Sequence, residues 1–168
     1  RDCLLSRGLG DVYKRQEHMR YLWMSMAAFF LDLGIKEEIE QSMKENEKKI
    51  CLKGRIQIER YHNYGGVCNV LEKKPGWMRK IHTLILVCTA VCTTDILKKR
   101  GNVGNRTGAA LLLAGGANNL WDRYKRGYVV DYLRFSTPWK RLNQMIFNLS
   151  DFFVFVGAIL ITLTSRKR

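Results

Sequence analysis

Residues 145–163 read MIFNLSDFFVFVGAILITL, and the single carboxylate in that run, Asp151, decides the fold. A helix needs ~20 mostly apolar residues to cross a bilayer, and this run meets that length. At ~1.5 Å of rise per residue, Asp151 lies roughly 9 Å along a helix that starts at Met145. A carboxylate inside a spanning helix costs at least ~2.5–3.5 kcal/mol, so it reads by default as part of a functional site. A second carboxylate, Asp131, follows Val129-Val130 in the segment just before. Two carboxylates held near one membrane face are the minimum equipment for acid–base hydrolysis of an amide.

Three further apolar blocks lie upstream, at Tyr21–Ile35, Ile81–Leu97 and Thr107–Trp121. The mean hydropathy of −0.22 looks soluble, but it averages apolar blocks with the charged segments between them. The 168 residues suffice for one domain. The pattern predicts a mainly α membrane protein of four transmembrane helices; the competing reading is a soluble bundle of four buried helices. Small residues crowd the third block (Gly108, Ala109, Ala110, Ala114, Gly115, Gly116, Ala117). In lipid these let helices pack closely.

The segments between the blocks predict a small extracytoplasmic β-sheet and loop element. Arg55–Arg60 alternates with period two, as a strand does. Gly65-Gly66 marks a turn, and Tyr128-Val129-Val130 is a second short strand. Lys36–Lys49, rich in Glu and Lys, extends the first helix or forms a surface helix. Pro138-Trp139 makes a turn where the indole can sit at the membrane surface.

The formal net charge of +14 first suggests nucleic acid. The bases are spread over loops rather than interleaved with aromatics in one stripe, which excludes that partner and leaves an anionic lipid surface. Lys98, Lys99, Arg100 and Arg106 in the short loop, with Arg166–Arg168, place both ends of the chain and this loop in the cytoplasm. The first loop and the 122–144 loop then face outward. The latter carries Arg123, Lys125, Arg126, Arg134, Lys140 and Arg141 against Asp122 and Asp131, an excess that opposes the positive-inside rule.

No small-x-small cleavage pattern follows Tyr21–Leu33, so the first block is read as an uncleaved span. Ser6–Gln16, SRGLGDVYKRQ, resembles the in-frame translation of a transposase sequencing adapter. Residues 1–16 are therefore expected to be an artefact, Met19 the start, and 19–168 the domain. No CxxC or Cys/His spacing supports zinc, and no metal or cofactor is expected. His62 and His82 have no Cys or carboxylate partner in sequence, and Tyr61, Tyr128 and Tyr132 are expected as interface aromatics.

Three motifs carry a resemblance: Ala114–Arg123 (AGGANNLWDR), Gly127–Tyr132 (GYVVDY) and Phe147–Asp151 (FNLSD). With the weaker Asp32–Lys36 (DLGIK) and Asn63–Gly66 (NYGG), they resemble signal peptidase II, the bacterial lipoprotein signal peptidase, over residues 19 to about 165. The resemblance implies an aspartyl intramembrane endopeptidase of the bacterial cell membrane, with its active site toward the outer face. It would remove the signal peptide of prolipoproteins just before a cysteine that already carries diacylglycerol. Asp131 and Asp151 fall on the catalytic pair. Asn63, Asn119, Arg123 and Asn148 fall on positions that shape the site and hold substrate, and Asp32 and Asp122 on supporting positions. Asn118, Ser150 and Cys68 depart from the family pattern, with expected consequences for substrate fit more than for chemistry. A reading from another class is a small transporter or proton-conducting protein using intramembrane carboxylates, which would show internal repeats or broken helices in matching halves.

Overall fold

The computed structural model describes residues 2–44, 47–66, 71–98 and 102–165. Four long helices, α1 (Asp2–Ser42), α2 (Pro75–Lys98), α3 (Val103–Lys125) and α5 (Leu149–Ser165), carry a four-stranded antiparallel sheet. The strands are β1 (Lys48–Cys51), β2 (Ile56–Asn63), β3 (Val129–Phe135) and β4 (Ile146–Phe147), in that spatial order, with a short helix α4 (Lys140–Asn143) between the last two. Helix starts follow local chemistry. Pro75 opens α2, where its missing N–H costs nothing. Asn102 caps α3 by accepting from the Gly104 amide at 3.0 Å. Gly127, at φ 87°, takes the left-handed turn that joins α3 to β3.

The run 145–163 is not one helix. Ile146-Phe147 pairs with Leu133 and Arg134 of β3, and α5 begins only at Leu149. Asp151 therefore stands in the first turn of α5, nearer the helix end than the apolar run predicts. The reason is Asn148, which caps the helix and stops the apolar pattern from being helical throughout. The strands expected at Arg55–Arg60 and Tyr128–Val130 are present as β2 and β3, both longer than their sequence signals. The Lys36–Lys49 segment divides: α1 extends to Ser42, and Lys48 already belongs to β1.

The packing is inverted relative to a water-soluble bundle. Among the described residues, fully buried positions include Asp32, Lys36, Asn118, Asp122, Asn148 and Ser150, each at 0% exposure. Meanwhile Leu84, Ile85, Val87 and Val91 of α2, and Phe155 and Leu163 of α5, are more than half exposed. Contiguous exposed apolar faces of this kind mark contact with something other than water. Among the described residues, no helix is both long and apolar enough to cross a membrane by itself. Lys98, Lys99, Arg100 and Arg166–Arg168, on which the predicted orientation rests, have side chains outside the described residues, as does Cys68.

Helices α3 and α5 touch through backbone. A Cβ on Gly108 would stand 2.7 Å from the Gly157 carbonyl oxygen, and one on Gly157 2.6 Å from that of Gly108. Gly115 faces the Ser150 carbonyl and Val154 in the same way, one turn from Asp151. Gly115→Leu is therefore expected to push the start of α5 away from α3. Overpacking of this kind costs ~1–3 kcal/mol, so the melting temperature should fall. A variant of unchanged melting temperature would contradict this packing.

Candidate active site

Asp131 is the third residue of β3, paired with Tyr61 of β2, and its side chain is buried. Its two oxygens accept from two amides, Asn63 Nδ2 at 2.9 Å and Asn148 Nδ2 at 2.7 Å. Asp151 and Asn148 form a reciprocal cap at the start of α5. The Asp151 amide donates to Asn148 Oδ1 at 2.9 Å, and the Asn148 amide donates to Asp151 Oδ2 at 3.0 Å. The other Asp151 oxygen accepts from Asn119 Nδ2 at 2.9 Å. Asn148 thus binds both carboxylates, one through its side chain and the other through its backbone.

This geometry sets the electrostatics. Burial is the largest influence on Asp131, and the nearby Asp151 charge adds to it, while the Asn63 and Asn148 bonds oppose. The balance pushes the Asp131 carboxyl up to about 7. Carboxylates that share a site lose their protons as a pair, so one proton remains between them over a range of pH. The Asn148 amide and the Asn119 side chain both donate to Asp151, and such bonds favour its ionised form.

Behind the pair sits a cation that sequence reading did not single out. Lys36 is fully buried, and its Nζ donates to Asn118 Oδ1 at 2.6 Å and Asn119 Oδ1 at 2.7 Å. It also pairs with Asp32 at 3.1 Å and Asp122 at 3.0 Å. An ammonium has only donors, so it fixes the Asn119 oxygen toward itself and turns the Asn119 NH2 toward Asp151. Asp32 in turn accepts from the Tyr132 hydroxyl at 2.7 Å and from the Ser150 amide at 3.2 Å, with the Ser150 hydroxyl also bonded to it. The signal was available: Asp32 and Lys36 are four apart, on one face of α1.

All eight residues picked out by sequence belong to this one network. Arg123 donates to the Gly65 and Tyr64 carbonyls, and the Gly65 amide donates to Asn63 Oδ1 at 3.0 Å, so Arg123 steadies the loop that presents Asn63 to Asp131. Asp122 joins Lys36 to Arg126 and reaches the Val130 amide at 3.4 Å. One expectation changes. Tyr132 is no interface aromatic but is buried, its hydroxyl between Asp32 and the Leu149 amide. Asn118 and Ser150 lie in the buried network; Asn118 donates to the Phe29 carbonyl at 2.7 Å and so ties α3 to α1. His62, without a partner in sequence, meets Glu40 at 2.8 Å and stacks on Tyr128.

The family model for signal peptidase (SPase) II matches residues 24–167. The chain is 30% identical over 164 residues to a lipoprotein signal peptidase of Vibrio vulnificus, covering 96% of each. It is 31% identical over 157 residues to that of Vibrio campbellii, covering 92% of each. Its fold is like that of a bacterial membrane enzyme solved by the in meso method, with TM-score 0.77 at 22% identity over 88% of each chain. A second structure of that description matches with TM-score 0.73 at 22% identity, over 86% of this chain and 90% of the other. These matches extend over nearly the whole chain and contain every residue of the buried network, so the chain belongs to the signal peptidase II family.

Proposed function

We propose that this protein is an aspartic endopeptidase that removes signal peptides from lipoprotein precursors, cutting before the lipidated cysteine, with Asp131 and Asp151 as its catalytic pair. The observation that carries this reading is Asn148, which bonds both carboxylates and so holds them as one unit. Asp151, at the helix start, is the ionised member and takes a proton from water. The water oxygen adds to the scissile carbonyl carbon while Asp131 delivers its proton to the carbonyl oxygen. The tetrahedral diol then collapses: the C–N bond breaks, the amine leaves protonated, and the pair regains its single proton. Asn63, Asn119 and Asn148 keep both carboxylates aimed, and Arg123 holds the loop beside which the substrate backbone lies.

The same reading puts the protein in the bacterial cell membrane. The exposed apolar faces of α2 and α5 meet lipid, and four spans tilt or pack together to cross it. The short loop and both ends lie in the cytoplasm, and the sheet with its site lies at the outer face. Residues 19–168 form the peptidase domain, and residues 1–16 are adapter-derived. The transporter reading requires carboxylates spaced along a path, whereas Asp32, Asp122, Asp131 and Asp151 converge at one end of the bundle. To test the assignment, the protein in vesicles is given a diacylated prolipoprotein and its unmodified precursor. Cleavage of the first and sparing of the second is expected; equal cleavage of both would refute the dependence on the lipidated cysteine.

The carboxyl held up to about 7 fixes a pH dependence. The folded protein retains the Asp131 proton from the ordinary value of 3.8 up to about 7, a window in which the unfolded chain has already lost it. Stability therefore declines as pH rises across that window, because unfolding releases the Asp131 proton, and the loss is complete above about 7. Turnover is expected to fall with the loss of the shared proton, giving an alkaline limb near 7. Melting curves and turnover measured over the same buffers check both signs; a rate flat from pH 6 to roughly 9 would contradict the acid role of Asp131.

A further inference from the structure

The outward loops carry a basic excess that the catalytic network does not use, and the sheet gathers part of it at one end. The β1–β2 hairpin turns through Leu52, Lys53 and Gly54, at φ 49°, 56° and 86°. Two consecutive side-chain-bearing residues in the left-handed region are sterically disfavoured, and such outliers persist where a surface has a task. The turn presents Leu52 at 69% exposure. Ile56 pairs with Phe135, and the Ser136 amide donates to the Arg55 carbonyl at 2.9 Å. The hairpin tip thereby meets the loop that carries Trp139, itself 74% exposed. Lys53, Arg55, Lys140 and Arg141 are exposed around these two apolar groups. No acidic residue occurs from Lys48 to Ile58 or from Tyr132 to Asn148.

We propose that this end of the sheet docks on anionic lipid headgroups. Leu52 and Trp139 enter the interface, and Lys53, Arg55, Lys140 and Arg141 face the phosphates. Apolar anchors ringed by bases are the chemistry of an anionic membrane surface; a protein partner would meet them with acids, and a neutral one would leave the bases without a counter-charge. Indole rings favour this depth, and each base near such a surface adds attraction that salt screens. The inference rests on the membrane reading above, and it explains why the 122–144 loop keeps its bases on the outer side against the usual bias. Docking would hold the sheet at the depth where a scissile bond next to a lipidated residue arrives.

The experiment uses the full chain with its five cysteines replaced by serine. A fluorescent nitrobenzoxadiazole is attached at Leu52→Cys or, separately, at Trp139→Cys. The protein is reconstituted into phosphatidylcholine vesicles with and without phosphatidylglycerol. Expected is an emission shift to shorter wavelength that requires phosphatidylglycerol and weakens with salt. Lys53→Gln and Arg55→Gln should each lower the docked-to-undocked ratio by about fivefold. Water-like emission at both positions in both vesicles, from protein that floats with the lipid, overturns the proposal. So does an equal shift in both vesicles. Protein that fails to float with either vesicle overturns the membrane reading itself, and the docking with it.

Discussion

Asp131→Asn and Asp151→Asn should each lower turnover of a diacylated prolipoprotein by at least ~10²–10⁴-fold, the range that one positioned acid or base supplies. The two losses should not multiply in the double variant, because the carboxylates share one proton and act as a unit. Asn keeps the shape of Asp but exchanges no proton at neutral pH. Folding should survive the change. Asp131→Asn removes a buried acid that sits beside another, which relieves repulsion. Against this, the new NH2 faces either Asn63 Nδ2 or Asn148 Nδ2, donor against donor, at a cost of ~1–3 kcal/mol for an unsatisfied group. Melting temperature should therefore shift modestly in either direction while turnover collapses. Near-normal turnover in either single variant would remove the pair from the chemistry.

Lys36→Met should have the largest effect on stability of any single change in the network. Met keeps the volume and most of the stem but leaves Asp32 and Asp122 buried without their shared cation. Breaking a buried pair by removing one partner costs ~3–5 kcal/mol, because the surviving charge stays desolvated. Here two charges survive, although Arg126 still reaches Asp122, and Tyr132 and Ser150 still donate to Asp32. Turnover should fall beyond what unfolding explains, since Asn119 loses the partner that turns its amide toward Asp151. Asp32→Asn added to Lys36→Met should recover part of the lost stability by neutralising one stranded charge, a coupling that a double-mutant cycle reads directly. Equal stability of Lys36→Met and the natural sequence would show that the cation does not bind the network together.

Asp151 stood out as a candidate because a carboxylate inside an apolar run is costly, and the structure brings Asp131 to the same buried network through Asn148. The positions of the four long helices were legible from the apolar blocks, and two strands from alternation and turn glycines. What sequence could not show was where the last block stops being helix. Apolar residues suit a strand and a helix alike, and only the pairing of Ile146-Phe147 with β3 separates them. The same limit concealed β1, whose Lys-Lys-Ile-Cys has no clear alternation. Lys36 was missed for a different reason: in a stretch rich in Glu and Lys, a base reads as solvated. Its four partners come from α1 and α3, and only the folded arrangement brings them together. Tyr132 was read from the habit of aromatics at membrane surfaces, whereas its hydroxyl is buried on Asp32.

The most direct test of the central claim is mass spectrometry of the products formed from a diacylated prolipoprotein in ¹⁸O-labelled water. The two-carboxylate mechanism predicts a lipoprotein that begins at the lipidated cysteine. It also predicts a released signal peptide whose new carboxyl carries one heavy oxygen, with both products absent for Asp131→Asn. Cleavage at another bond, or the same products from Asp131→Asn, would contradict it.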